Sequence, residues 1–422
     1  MNHYSAFLRP YHGKSTNNEN DENSSIKNLL LKHLSKSQQN ASNNNSNNPK
    51  GTMRGILGEV GNRQITNKSK VIQQSVETKA ILTVPTPTLS TIVNKIEAIT
   101  LNDKQENDDC SVVHEPIVKL TKVPTEFDCD SGDLSNITTA SEYVVDICLY
   151  WRELEQQTPI RQNYLLNRNE GTASPQNRAV LIDWLYQVHD RFKLLSDTFH
   201  MTIQLIDRYL QSIDASKHEL QLIGSTALLI ACKYEEMTIP GMNDFVYVSD
   251  NAYSKEDMKE MERRIICTLS YDLGRPLSIN FLRRYSKIVQ ATDIEHTLGK
   301  YLLDLTFTDH SFAHLSPSYI SACASFLSRY LFAYKRLTSS STSIHVLIEN
   351  LWPNKFMNYH TNYTYEQLRQ GIDQLGQLLI GQETTKLRSA QKKYSQSNLF
   401  SVAQHSCCKS AYVQMALSRL SK

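Results

Sequence analysis

The sequence predicts an all-α protein, two stacked helical units behind a long polar tail. Three observations predict this. Of its 3 Trp, 21 Tyr and 12 Phe, only Tyr4, Phe7, Tyr11 and Phe127 precede residue 141, so the packed core belongs after about residue 140. From there on, apolar residues recur at three- and four-residue spacings, the period of helices that bury one face. The order of those segments then recurs weakly, with Tyr330 falling 96 residues after Tyr234 at the end of a second small-residue helix, which fits two helical units of about 100 residues.

The tail, residues 1–138, contains TNNENDENSSIKN and NASNNNSNNPK, polar stretches that cannot bury enough apolar surface to offset the entropy of ordering them. It is expected to be disordered and regulatory. The formal net charge of +2 gives no case for steering toward nucleic acid or membranes. No run of 18 apolar residues appears, and MNHYSAFLRPYHGK lacks the apolar centre of a signal peptide. The eight cysteines are scattered, and the adjacent pair Cys407 and Cys408 has no CxxC partner elsewhere. A reduced intracellular protein without a zinc or disulfide framework is expected.

The helices follow in order. SEYVVDICLYWRELEQQ opens at Ser141 and spaces Tyr143, Ile147, Tyr150, Trp151 and Leu154 as a stripe. QNRAVLIDWLYQVHDRFKLL follows Pro175, a favourable first residue, with Val180, Leu181, Trp184, Leu185, Val188, Phe192 and Leu195 inward. SDTFHMTIQLIDRYLQS starts with a Ser/Asp cap signal. HELQLIGSTALLIACKYEE is apolar nearly all round and suits the centre of a bundle, where Gly224, Ser225, Ala227 and Ala231 admit close neighbours. SKEDMKEMERRIICTLSYDL is amphipathic and stops at Gly274-Arg275-Pro276. LSINFLRRYSKIV, EHTLGKYLLDLTFTD and SPSYISACASFLSRYLFAY form the second unit, residues 337–343 a loop within it, and YTYEQLRQGIDQLGQLL its last clear helix. Residues 396–422 are set apart as a C-terminal tail.

The chain carries no GxxxxGK[ST], GxGxxG, HExxH or GxSxG signature, and its histidines and cysteines are not spaced as ligand pairs. His189 and His200 read as packed or surface histidines. No catalytic residue, cofactor or metal is expected. What stands out is charge inside apolar helices: Arg178, Asp183, Asp207, Arg208 and Lys233. Glu235 and Glu236 read as solvated charge at a helix end. Lys233 and Glu262 do not, because both abut long apolar faces.

These segments resemble one family. NRAVLIDWLYQVHDRFKLLSDTFHMTIQLIDRYLQ is similar to the first cyclin-box helices of mitotic cyclins, ALLIACKYEEM to their central helix, and EYVVDICLYWRELE to their N-terminal helix. YDLGRPLSINFLRRYSKI resembles the junction into the second box of B-type cyclins, and favours that branch over an A-type or B3-like cyclin. The resemblance covers about residues 140–395. It implies two five-helix repeats: residues 139–274 as N-terminal helix and first box, 275–395 as second box. It also implies a regulatory subunit without catalysis, activating a cyclin-dependent kinase at the entry into mitosis. The alternative from another class is a cyclin-fold adaptor or transcription factor without a kinase partner.

The resemblance assigns residues. Arg178 and Asp207 match a structural ion pair; buried, it would cost on the order of 3–5 kcal/mol to lose one partner. Lys233 and Glu262 match the pair that hydrogen-bonds the kinase main chain near its mobile helix. Ile147, Tyr234, Ile266, Tyr271 and Leu273 match the apolar ring around them. Leu181, Trp184, Leu220 and Gln221 match a shallow patch for Arg-x-Leu motifs of substrates or inhibitors. Asn177 replaces the family's methionine there, and Gln187 a carboxylate of some relatives, so weak docking is expected.

In the tail, RGILGEVGN places Arg54, Leu57 and Asn62 as R-x-x-L-x-x-x-x-N, which resembles the destruction box read by the anaphase-promoting complex. RAVL at Arg178 and RFKL at Arg191 match the short form but fall in helices. Lys50, Lys68, Lys70 and Lys79 could accept ubiquitin. Ile92, Ile96, Ile99 and Leu101 have the spacing of a nuclear export signal, equally that of a transient amphipathic helix, so a protein shuttling between nucleus and cytoplasm is expected. Thr158-Pro159-Ile160-Arg161 fits a proline-directed kinase consensus.

Overall fold

The computed structural model describes residues 121–166, 168–337 and 343–420. Among them the chain is helical, with one isolated β-bridge between Thr172 and Ser216. Helix α1 is Val144–Gln157. The first box is α2 (Pro175–Phe192), α3 (Ser196–Ser212), α4 (Leu220–Glu235), α5 (Met242–Val248) and α6 (Lys255–Thr268). The second is α7 (Ser278–Ile288), α8 (Asp293–Thr306), α9 (Pro317–Leu337), α10 (Ile344–Leu351), α11 (Asn354–Thr361) and α12 (Tyr365–Gly381). The second box thus has six helices where the resemblance implies five; α10 and α11 are separated at Trp352 and Pro353, where proline lacks the N–H that would continue the ladder. Two helices follow: α13 (Ser389–Tyr394) and α14 (Ser410–Leu420). None of the described helices is long and apolar enough to cross a membrane.

Local chemistry sets the starts. Ser174 caps α2, its Oγ accepting from Asn177 N at 3.2 Å ahead of Pro175. The Ser/Asp signal before α3 is not used. Glu236, from the end of α4, accepts from Leu195 N at 2.7 Å and Thr198 Oγ1 at 2.6 Å, and Asp197 instead pairs with Arg283 in the second box. Helix α4 is buried from Leu220 through Cys232 except at Gln221 and Leu222. Gly224 is required by close approach: a Cβ there would stand 2.8 Å from Leu181 Cδ1.

Three expectations change. In α1 the inward residues are Val144, Cys148 and Arg152, while Tyr143 and Tyr150 face solvent. Of the predicted stripe, Trp151 is half-buried and packs edge-on against Phe281, ring centroids 5.7 Å apart, while Arg152 turns inward to donate to the His360 carbonyl oxygen. The tail boundary at 138 also fails. Phe127 stacks on Tyr359 with ring centroids 4.3 Å apart, and Asp130 takes Arg284 at 2.6 and 2.7 Å and Lys287 at 2.7 Å. One ring and one carboxylate anchor this strap, and composition averaged over a long tail hides them. Residues 396–422 are not a separate tail as far as they are described. Val413, Ala416, Leu417 and Leu420 of α14 are buried, and Tyr330 Oη donates to the Ala416 carbonyl at 2.9 Å.

The two boxes are joined by polar groups. His200 Nε2 lies 3.2 Å from Asp304 Oδ1, whose other oxygen accepts from Lys393 Nζ at 3.1 Å and Tyr394 Oη at 2.8 Å. The charge of Lys393 and the hydrogen bond from His200 outweigh burial and hold the Asp304 carboxyl well below its usual range. Helix α13 closes back on α2, where Asp183 Oδ1 accepts from Ser389 N at 2.9 Å.

Burial, with Lys393 nearby, holds the His189 imidazole down at about 4; burial, with Arg284, holds His360 at about 4. Both lie below the ordinary value of 6.5, so the unfolded chain binds these protons first. Their contribution is complete above pH 6.5 and is lost as pH falls toward 4, with a slope of up to about 1.4 kcal/mol per pH unit for each. Urea midpoints are expected to fall between pH 7.5 and 5, and less in His189→Gln/His360→Gln. A flat wild-type profile across that range would show that these imidazoles are not held neutral.

Candidate partner-docking face

The expected docking residues sit on the end of α4, on α6 and in the turn that follows. The capping box of Ser254 and Asp257 starts α6. Met258, Met261 and Ile265 bury its inner face, which leaves Glu262 and Ile266 at the margin. Lys233, in the last turn of α4, reaches Glu262 with Nζ 2.5 Å from Oε1; the side chains are 44% and 17% exposed. A pair this accessible contributes about 0–1 kcal/mol, so its donors and acceptors are cheaply redirected to another chain.

Helix α6 ends at Thr268, earlier than Gly274-Arg275-Pro276 suggested. Ser270 (φ 53°) and Tyr271 (φ 61°) are consecutive left-handed residues without being glycine. Each such residue costs on the order of 1 kcal/mol, a strain that concentrates at functional segments. The turn leaves Tyr271 75% exposed, and Tyr234 is 54% exposed with its hydroxyl against Gly274, where a Cβ would stand 2.7 Å away. Burial, with Glu235 and Asp272, raises the Tyr234 phenol above its ordinary value. Ile147, Ile266 and Leu273 are half-buried. Ile147 lies on α1, which meets this turn at its far end, where Arg275 Nη1 donates to Gln157 Oε1 at 3.3 Å.

Sequence reasoning missed Leu149 on α1, and Met237 and Ile239 just beyond α4, all exposed. Their signal was present, since apolar residues next to Lys233 and Ile147 and outside any inward stripe mark a surface to be covered.

The residues matched to the patch for Arg-x-Leu motifs are largely buried. Leu181, Trp184 and Leu220 are 3%, 7% and 2% exposed and belong to the core; Gln221 is half-buried. Asn177 accepts from Ser174 Oγ at 2.7 Å, and Gln187 donates to Ser389 Oγ at 3.3 Å, so both polar replacements are engaged within the chain.

Arg178 and Asp207 are paired and buried. Nε and Nη2 of the arginine donate to the two carboxylate oxygens at 2.6 Å each, and Tyr164 Oη adds a bond to Oδ1 at 2.7 Å. Arg178 Nη1 also donates to the Phe307 carbonyl of the second box at 2.7 Å, a link the sequence did not disclose. Thr158 is half-buried, and Arg161 is engaged with the Gln211 carbonyl. Arg54, Leu57, Asn62, Ile92, Ile96, Ile99 and Leu101 lie outside the described residues.

Residues 146–274 match the cyclin N-terminal domain family and 276–408 the cyclin C-terminal domain family. Among curated proteins, the chain is 39% identical over 279 residues to the G2/mitotic-specific cyclin-B of Patella vulgata, covering 66% of this chain and 64% of that protein. It is 38% identical over 301 residues to the G2/mitotic-specific cyclin-B2 of Gallus gallus, covering 71% and 69%. It is 35% identical over 371 residues to the cyclin-B2 of Bos taurus, covering 83% and 87%. The chain thus spans just under two thirds of the length of the first of these relatives. A viral cyclin from herpesvirus saimiri aligns in structure with a TM-score of 0.43 and 19% identity, covering 55% of this chain and 97% of that one.

Proposed function

The chain belongs to the B-type, G2/mitotic cyclins, and on that premise we propose that it is the regulatory subunit of a cyclin-dependent serine/threonine kinase, driving the transition into mitosis without catalysis of its own. The observation that carries the reading is the accessible Lys233–Glu262 pair beside the projecting rings of Tyr234 and Tyr271. Lysine offers donors and glutamate acceptors to main-chain groups, and the rings and half-buried aliphatics receive an apolar helix face. A kinase needs its lysine–glutamate ion pair and its activation loop in place. A face that binds only the arrangement with that pair formed shifts the kinase population toward it. ATP, magnesium and the catalytic base belong to the partner. The test mixes the full chain with a monomeric mitotic cyclin-dependent kinase carrying its activating phosphate, and follows phosphate transfer to a histone peptide. Activation is expected; its absence across several such kinases would favour an adaptor.

The core positions of Leu181, Trp184 and Leu220 support weak Arg-x-Leu docking. A labelled Arg-x-Leu peptide is expected to bind poorly to the wild type and more tightly to Asn177→Met. Equal affinity for the two would refute that account.

Arg54, Leu57 and Asn62 form a destruction box through which the anaphase-promoting complex directs ubiquitin-dependent proteolysis. A receptor groove would use the arginine for acidic contacts and the leucine for an apolar pocket. The chain shuttles between nucleus and cytoplasm, with Ile92, Ile96, Ile99 and Leu101 as its export signal. In dividing cells a tagged Arg54→Ala/Leu57→Ala chain is expected to persist through mitotic exit, and Ile99→Ala/Leu101→Ala to accumulate in the nucleus. Wild-type decay of the first, or wild-type distribution of the second, would dismiss the corresponding signal.

A further inference from the structure

Four serine or threonine residues stand directly before a proline: Thr86, Thr158, Ser174 and Ser316. Of these, Thr158 alone has a basic residue three places on, Arg161. Thr86 lies outside the described residues. Ser174 and Ser316 are tied into helix starts: Ser174 Oγ donates to Asn177 Oδ1 at 2.7 Å, and the Ser316 carbonyl accepts from Ile320 N at 3.1 Å at the head of α9. The Thr158 hydroxyl, by contrast, bonds to no described residue and is not sealed from solvent. Thr158 follows the last residue of α1 with φ −134° and ψ 66°, and Pro159 and Arg161 are exposed. Residues 159–161 bond to the rest of the described chain through Arg161 alone, whose N donates to Gln211 Oε1 at 3.1 Å and whose Nη2 donates to the Gln211 carbonyl. A non-helical stretch pinned at one residue, with a free hydroxyl, is what a kinase cleft can take up.

We propose that Thr158 is a phosphorylation site for a proline-directed serine/threonine kinase, and that its phosphate loosens the junction of α1 with the two boxes. The γ-phosphoryl group of ATP passes to Thr158 Oγ1: an O–P bond forms there as the bond to ADP breaks, and the hydroxyl proton leaves to the catalytic aspartate of the kinase. The sign of the effect follows from what surrounds the residue. Thr158 and Ile160 line a cavity of about 150 Å³ between the boxes, against Ile203, Leu277 and Phe307. The arginines and carboxylates around it are matched in number: Arg178 holds Asp207, Arg208 and Arg275 share Asp272, and Glu155 accepts from Ser318 N at 3.0 Å. Arg275 also donates to Gln157 Oε1 at 3.3 Å, beside Thr158. No arginine is left over for a phosphate, which carries a charge of about −1.5 to −2. To meet it, Arg275 must leave Asp272 and Gln157, or Arg161 must leave Gln211. Added charge against an apolar wall and matched ion pairs disrupts by desolvation and repulsion.

The experiment incubates the full chain with ATP and an active mitotic cyclin-dependent kinase, preassembled with its own cyclin and checked on a histone peptide. Because that kinase arrives active, the result does not depend on whether this chain activates one. Mass spectrometry is expected to find phosphate on Thr158 of the wild type and none at that position in Thr158→Val, which removes the hydroxyl at similar volume. In the phosphorylated wild type, amide hydrogen exchange over residues 155–161 and 272–275 is expected to be roughly tenfold faster, the equivalent of one charge-assisted bond lost. Thr158→Val, treated alike, is expected to exchange as the untreated wild type does, which separates the effect of Thr158 from phosphate elsewhere in the chain. A labelled histone peptide with Thr158 left unmodified would overturn the proposal as a modification site. Phosphate on Thr158 with exchange unchanged or slower would overturn the loosening.

Discussion

The full chain with Lys233→Ala and Glu262→Ala together is expected to lose activation of a mitotic cyclin-dependent kinase while folding as the wild type does. The two halves of that result have different physical sources. Within the chain the pair is accessible, and exposed pairs contribute about 0–1 kcal/mol, so the urea midpoint should hardly move. Across an interface the same groups are desolvated, and a hydrogen bond to a charged group is then worth about 1.5–3 kcal/mol. Two such bonds correspond to a loss on the order of a hundredfold or more in affinity for the kinase. Activation and binding are read in parallel, by phosphate transfer to a histone peptide and by titration of a labelled kinase. Tyr271→Ala separates the apolar contribution: it removes a ring that projects into solvent on a left-handed residue, and should weaken binding without destabilising the fold. A folded double variant that still activates fully would sink the docking assignment.

How much of this face was legible in the sequence depends on what kind of information each residue carries. Lys233 and Glu262 could be singled out because each is a charge against a long apolar face, and periodicity alone exposes that conflict. Tyr271 could be named from the family pattern, but its exposure could not be foreseen. That follows from two left-handed residues, Ser270 and Tyr271, where neither glycine nor asparagine announced the turn. The 96-residue offset paired Tyr234 with Tyr330, yet Tyr234 is left open and Tyr330 is buried beneath α14. The repeat was readable and its covering was not, because α14 is short and arrives from the far end of the chain. The burial of the docking-patch residues was hidden for a related reason. A hydrophobic stripe does not say whether its members line a surface groove or fill the core, and Leu181 fills the space that Gly224 leaves.

Arg178 and Asp207 carry the largest expected effect on stability. Asp207→Ala strands a guanidinium that is 1% exposed and frees the Tyr164 hydroxyl, so a loss of about 3–5 kcal/mol is expected. Arg178→Ala strands the carboxylate at similar cost and also removes the bond to the Phe307 carbonyl. That bond distinguishes the two variants. If it ties the boxes, Arg178→Ala should raise hydrogen exchange at the α8–α9 connection as well as in α2, whereas Asp207→Ala should act mainly in α2 and α3. The double replacement Arg178→Met/Asp207→Leu tests whether the pair stabilises or only specifies. It removes both charges at similar volume, and fully buried pairs replaced in this way often lose little or gain. The double variant is therefore expected to be more stable than either single one in urea denaturation. A double variant as unstable as the sum of the singles would show instead that the two side chains act independently, and would remove the ion pair as the reason for their burial.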